Sequence, residues 1–220
     1  MTRLVVKIGG AVAASAAQYV IDLAQQGHEV VVVHGAGRQI THEMTRHGLP
    51  VEFVDGRRVT SAAALEVVQE SLANINAELC TAIGPLALAL PGGVLEATAV
   101  PELGFVGDPM PSAPPAVLEA LAAGRIPVVA PLANGPLNVN GDEAAAALAV
   151  GLRAERLVFI TDVPGVLIEG EVAATIEADE AERLVGAGAF TDGIVPKLLA
   201  AAHAARFGVV AKIGETAVTA

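Results

Sequence analysis

Short apolar runs recur along the chain, and most are followed by a longer stretch with helical spacing of its apolar positions. Residues 4–8, 29–33, 86–90, 126–131, 156–163 and 209–213 read as strands, because brief runs rich in Val and Ile suit strands buried on both faces. Residues 11–27, 39–47, 62–81, 114–123, 143–151, 178–187 and 197–207 read as helices. Gly27 and Gly48 sit where a helix C-cap is expected, and Ser61 can cap the helix that follows it. Residues 51–54 and the Asp55-Gly56 step predict a hairpin. The Pro- and Gly-rich stretch 91–115 has room for a second one within 93–107. Strands that alternate with helices imply βαβ units, hence an α/β fold on a mainly parallel sheet. Ligands in such sheets bind beyond the carboxyl ends of the strands. That rule brings Gly9-Gly10, His34-Gly35-Ala36-Gly37 and Thr161-Asp162 to one edge.

Composition narrows the partners. The 220 residues suit one domain, with a soft lobe boundary near residues 131–136. Hydrophobic residues make up 53% and are mostly alanine, while aromatics are 3%, so the core is built from close-packed aliphatics. A formal charge of −11 argues against nucleic acid and anionic membranes as partners. An anionic ligand must then be held by a few placed cations and backbone amides. The single cysteine, Cys80, rules out an intrachain disulfide and fits the cytoplasm, and its simplest role is a small buried hydrophobe. Every apolar run of 18 residues is interrupted by polar residues or glycine, so no membrane-spanning helix is predicted. The start, Met1-Thr2-Arg3, enters a strand at once and does not look like a signal peptide.

Lys7 lies near the end of the first apolar run, where a buried cation needs something negative. The glycine pair after it lets backbone amides approach such a group, although the lysine could equally snorkel to solvent. Neither glycine turn has the phosphate-loop or the dinucleotide-binding spacing. His34 is either a catalytic base or a structural hydrogen-bonding residue. Arg58, beyond the Asp55-Gly56 turn, can clamp a carboxylate, or can form a solvated pair with Arg57. Asn138 and Asn140 share a face if extended, and Asp142 either does chemistry or simply favours a helix start. Lys197 opposes the dipole at the start of its helix, which suggests an anionic neighbour. Two lysines with an aspartate suit phosphoryl transfer, which depends on positioning and charge neutralisation.

Taken together and in order, Lys7-Ile8-Gly9-Gly10, His34-Gly35-Ala36-Gly37, Gly56-Arg57-Arg58-Val59-Thr60, Asn138-Val139-Asn140-Gly141-Asp142, Thr161 to Leu167 and Thr191-Asp192-Gly193 through Lys197 resemble the amino acid kinase family. The resemblance runs from residue 4 to about residue 208. It implies a three-layer α/β/α sandwich, with a half of residues 1–135 for an N-acyl amino acid and a half of 136–220 for ATP with Mg²⁺. The implied reaction moves the γ-phosphoryl group to a side-chain carboxylate, that of acetylglutamate or of the longer acetyl-aminoadipate, free or carrier-bound. It implies that Lys7 and Lys197 stabilise the transition state and that Asp142 orients both. Gly10, Gly35, Ala36 and Gly37 would hold phosphate and substrate, Arg58 the α-carboxylate, and Asn138 with Asn140 the rest of the acyl amino acid. Thr161, Asp162, Val163, Gly165, Val166 and Leu167, with Ala189, Phe190, Thr191 and Gly193, would line the nucleotide. No metal-ligating residues are assigned.

The chain departs from the family in several places. Ala36 stands where the family has a glycine, and a positive φ there would cost about 1 kcal/mol or more. The middle region, residues 71–107, looks shortened, and Asn74-Ile75-Asn76 lacks a lysine often found there. Little chain follows Lys212 on the expected adenine side. With no helix before the first strand, a homodimer without arginine feedback is expected. A non-catalytic member of the fold would be expected to have lost one of Lys7, Asp142 and Lys197, and all three are present.

Overall fold

The apolar runs pair into one sheet in a computed structural model that describes residues 2–9, 13–191 and 193–220, with the side chains of 13–15 left out. Gly10, expected to hold a phosphate oxygen, lies outside the described residues, as does Asp192 of the 191–197 motif. In chain order the first half comprises β1 (Arg3–Ile8), α1 (Ala13–Gln25), β2 (Glu29–His34), α2 (Gly37–Arg46), β3 (Phe53–Val54), β4 (Arg57–Arg58), α3 (Ala62–Ile83), β5 (Ala87–Leu90), β6 (Ala97–Ala99), β7 (Val106–Pro109), α4 (Pro115–Ala122) and β8 (Ile126–Val129). There follow β9 (Leu132–Ala133), β10 (Leu137–Val139), α5 (Gly141–Gly151), β11 (Arg156–Ile160), β12 (Leu167–Ile168), β13 (Glu171–Val172), β14 (Thr175–Glu177), α6 (Ala178–Gly186), α7 (Ile194–Arg206), β15 (Val210–Ile213) and β16 (Thr216–Thr219).

The main sheet has the order β14-β16-β15-β11-β1-β2-β8-β5. The run from β15 to β5 is parallel throughout, and β16 reverses against β15. β1 therefore sits in the middle, with hydrogen-bonded neighbours on both sides. Successive residues point to opposite faces of a strand, and the core divides accordingly. Val5, Val31 and Val33 pack with α5 and α7 on one face, while Val6, Ile8, Val30 and Val32 pack with α1, α2 and α3 on the other. This is the α/β/α sandwich, and its two cores are separated by the sheet.

Several boundaries differ from the sequence reading. β11 stops at Ile160, where Val163 was expected, since the chain turns out of the sheet at Thr161 and Asp162. α7 begins at Ile194, three residues before Lys197, so Pro196 is in the first turn, where no helical N–H bond is lost. The stretch read as a soft boundary holds β9, whose Leu132 and Ala133 are buried and pair with β10. A second sheet, β6-β7-β10-β9, lies beside the first and carries Asn138 on β10. The β12–β13 hairpin and strands β14 and β16 were not foreseen, being too short to show a strand pattern. Ser61 does cap α3, accepting from the Ala64 N–H at 3.2 Å.

Candidate active site

Lys7 and Asp142 come from opposite ends of the first 142 residues and meet beyond the carboxyl edge of β1. The Lys7 Nζ lies 2.5 Å from Asp142 Oδ1, and the Lys197 Nζ lies 3.3 Å from Asp142 Oδ2. Lys197 also donates to the Gly193 carbonyl at 3.3 Å. Both partners of the first pair are buried and Lys197 is mostly so. Two ammoniums on one carboxylate leave a net positive charge out of bulk water, a state that favours an anionic ligand.

The second glycine turn comes next to this cluster. Gly35 donates to the Ile8 carbonyl at 2.9 Å, which holds the ends of β1 and β2 together. Ala36 has φ −139°, so the alanine carries none of the strain a positive φ would impose, and its methyl is buried in the core. It is the N-cap of α2 and makes no side-chain cap, which leaves the first amides of that helix for an anion. A side chain on Gly37 would meet nothing within 4 Å, so the open space above it belongs to the cleft. His34 is fully buried and its Nε2 lies 3.1 Å from Asn76 Nδ2. Burial pushes its pKa down to about 4, and the charge on Lys7 adds to this. The imidazole is thus neutral at neutral pH and serves as a structural support under the turn.

Arg58 is buried on the hairpin, with Nη2 donating to the Gly37 carbonyl at 3.1 Å and to Thr41 Oγ1 at 2.8 Å. Its guanidinium carbon lies 4.5 Å from the centroid of the Phe53 ring. Burial lowers its pKa, and among the described residues no carboxylate pairs with it. Such a cation suits an incoming carboxylate. Asn138, also buried, donates from Nδ2 to Thr60 Oγ1 at 3.0 Å. Arg58 and Asn138 line an inner pocket of about 170 Å³ together with Lys7, Gly35, Ala36 and Asp142. Asn140 lines it too but has both ends of its amide engaged. Its Oδ1 caps α5 through the amides of Asp142 and Glu143, and its Nδ2 donates to the Gly56 carbonyl.

The inner pocket adjoins a cleft of about 750 Å³ that shares Lys7, Gly35, Gly37 and Arg58 with it. Thr161, Asp162 and Gly193 line this cleft, as the sequence suggested. Val163 and Leu167 are exposed nearby in the chain, as are Ala189 and Thr191, while Phe190 packs against the core. Gly165 and Val166 are placed otherwise. A Cβ on Gly165 would fall 2.7 Å from Thr216 Oγ1, and Val166 is fully buried. Val166 donates its N–H to Thr216 Oγ1 and its carbonyl accepts from the Ala173 N–H, so it props the loop from beneath. Thr41, His42 and Phe53 line the cleft and were not singled out from the sequence. Thr41 falls four residues after Gly37 on α2, a spacing that would have found it.

Comparison with known proteins identifies the family of the chain. The model of the amino acid kinase family matches residues 2–214. An acetylglutamate kinase of Rubrobacter xylanophilus is 44% identical over 97% of this chain and 88% of its own length. One from Dinoroseobacter shibae is 35% identical over 96% of this chain and 80% of its own. Among solved structures, smu.665 from Streptococcus mutans superposes with a TM-score of 0.87 at 29% identity, covering 99% of this chain and 98% of that one. An N-acetylglutamate synthase from Neisseria gonorrhoeae, in complex with coenzyme A and N-acetyl-glutamate, superposes with a TM-score of 0.85 at 24% identity, covering all of this chain and 59% of that one.

Proposed function

The chain belongs to the amino acid kinase family, and on that premise we propose that it phosphorylates the side-chain carboxylate of N-acetyl-L-glutamate from ATP. The product is an acyl phosphate, and the pathway served in this reading is arginine biosynthesis. The observation that carries the site assignment is the single carboxylate of Asp142 held between Lys7 and Lys197.

The mechanism follows from charge. The acceptor carboxylate is already anionic and serves as the nucleophile, so the chain need supply neither nucleophile nor strong base. An oxygen of that carboxylate forms a bond to the γ-phosphorus as the bond to the β–γ bridging oxygen breaks, and that oxygen leaves with ADP. Negative charge spreads over the moving group and the leaving oxygen. Lys7, within the inner pocket, and Lys197, on the wall of the cleft, neutralise it. Asp142 keeps both ammoniums oriented before the substrate arrives, which lowers the reorganisation needed during reaction. Arg58 grips the α-carboxylate and Asn138 the acetamido side. The amides from Gly35 to Gly37 hold phosphate and substrate oxygens. The nucleotide lies along Thr161, Asp162 and Gly193, so the acyl amino acid is held mainly by the first 135 residues and ATP mainly by the rest.

Mg²⁺ accompanies the nucleotide in this reading. Among the described residues no group of three His, Cys, Asp or Glu side chains could hold a metal ion. A Mg²⁺ ion prefers phosphate oxygens and water with one or two carboxylates, and Asp162 on the cleft wall is such a carboxylate. When bound, the ion offsets charge on the β- and γ-phosphates. A homodimer working in the cytoplasm is part of the same proposal, the single cysteine fitting a reducing compartment. A light-scattering mass near twice 22.1 kDa supports the dimer, and a hexamer overturns it.

The decisive assay is ATP-dependent acyl phosphate formation trapped with hydroxylamine, comparing acetylglutamate, acetyl-aminoadipate, glutamate and aspartate. A clear preference for acetylglutamate supports the reading. Preference for acetyl-aminoadipate moves the substrate assignment by one methylene, and no product from any of the four overturns the enzyme.

A further inference from the structure

Arg58 sits on a hairpin whose strands are two residues each, too short to be held by their own ladder. Phe53 and Val54 on the incoming strand are exposed, so core burial does not fix that strand. Arg57, the neighbour of Arg58, is therefore informative. Its Nε meets both carboxylate oxygens of Glu143, at 3.1 and 3.0 Å, and its Nη2 meets Asp108 Oδ1 at 2.6 Å. Glu143 directly follows Asp142 on α5, and Asp108 lies on β7.

The tip of the hairpin is tied to the same places. Asn140 holds the Gly56 carbonyl at 2.9 Å with one end of its amide and caps α5 with the other. Gly56 has φ +77°, and a Cβ there would approach the Pro196 Cβ to 3.4 Å in the first turn of α7. The hairpin that carries Arg58 thus touches the helix that carries Asp142 and the helix that carries Lys197.

Charge makes the arrangement costly unless Arg57 is present. Asp142 and Glu143 are adjacent carboxylates in one helical turn, both largely out of solvent. The lysines compensate the first. Burial raises the pKa of Glu143, and Arg57 is the cation that opposes this. An exposed arginine pair would need neither of these contacts.

We infer that Arg57 is a positioning residue, which seats the β3–β4 hairpin through Glu143 and Asp108 so that Arg58 and the Asp142-centred lysines share one frame. This rests on the proposed reading for what Arg58 grips, and it adds a residue that touches neither substrate.

The test uses the full-length enzyme and the variants Arg57→Gln, Glu143→Gln and the double variant. Amide hydrogen exchange across residues 53–58 without substrate is expected to quicken several-fold in Arg57→Gln, because the tie is gone. In kinetics, KM for acetylglutamate is expected to rise about tenfold, the scale of one charge-assisted hydrogen bond, with KM for ATP within about twofold. Glu143→Gln moves KM in the same direction, and the double variant is no worse than the larger single one. Unchanged exchange, an equal rise in both KM values, or additive effects overturn the inference. A wild-type enzyme that leaves acetylglutamate untouched overturns the functional reading alone, since the exchange result still decides the role of Arg57.

Discussion

Lys7 and Asp142, 135 residues apart, form a buried ion pair of 2.5 Å, and Lys197 closes on the other carboxylate oxygen at 3.3 Å. An ammonium this enclosed acts on a charge that develops beside it in a place where water screens little. Substituting Lys7→Ala or Lys197→Ala should lower kcat by roughly 100-fold or more, the scale of removing one transition-state donor. KM should move far less, and steady-state kinetics with both substrates varied checks this. A kcat near the wild-type value in either variant sinks the assigned role.

Asp142→Asn should harm stability as well as rate. It leaves two ammoniums close together with no carboxylate between them. Breaking a buried pair by removing one partner costs roughly 3–5 kcal/mol, less here because Lys197 is partly hydrated. At about 2–4 °C per kcal/mol for a chain of this size, Tm should fall by roughly 5–10 °C. Thermal denaturation gives the number, and an unchanged Tm contradicts the pairing.

Arg58→Ala should raise KM for the acyl amino acid by about 10- to 100-fold, as expected for loss of a charged hydrogen-bonding partner. KM for ATP should stay close to the wild-type value. If the ATP constant shifts instead, the hairpin arginine serves the nucleotide and the two binding sides have been assigned the wrong way round.

His34 ties stability to pH. The unfolded imidazole takes up its proton near the ordinary value of 6.5 and the folded one only near 4. Between those values the unfolded chain binds more protons, so stability falls as pH drops from 6.5 towards 4, by on the order of 3 kcal/mol. Above about pH 7 His34 contributes no slope. Denaturant melts of the wild type and of His34→Asn across pH 4–7 isolate the effect, because the variant should lack that part of the slope.

Ala36→Gly puts at this turn the glycine expected from the family resemblance. With φ already negative and the methyl buried, the change should cost roughly 1 kcal/mol and leave kcat within about twofold. A faster enzyme would mean that the turn must visit a positive φ during catalysis.

The fold and most of the site were legible in the chain itself. Apolar runs such as Leu4–Val6 and Val30–Val33 announce strands buried on both faces, since only the middle of a parallel sheet removes both faces from water. Turn chemistry is equally local, so Ser61 as a cap and Asp55-Gly56 as a hairpin tip could be read from neighbouring residues. Lys7, Arg58, Asp142 and Lys197 stood out by residue type at the ends of those elements. Residue type and spacing alone could not say which of them would touch, and only the family resemblance put Asp142 with both lysines. The contact between Lys7 and Asp142 depends on β1 and α5 packing together, a matter of sheet order. For the same reason Val166 looked like a ligand contact, whereas Thr216, 50 residues on, takes its amide and turns it into a support for the loop. The different surroundings of Arg57 and Arg58 were likewise set only in three dimensions. Adjacent strand residues point to opposite sides, and what waits on each side, the Glu143 carboxylate for one and a pocket whose carboxylate, Asp142, is already paired with lysines for the other, is set by chain segments far away.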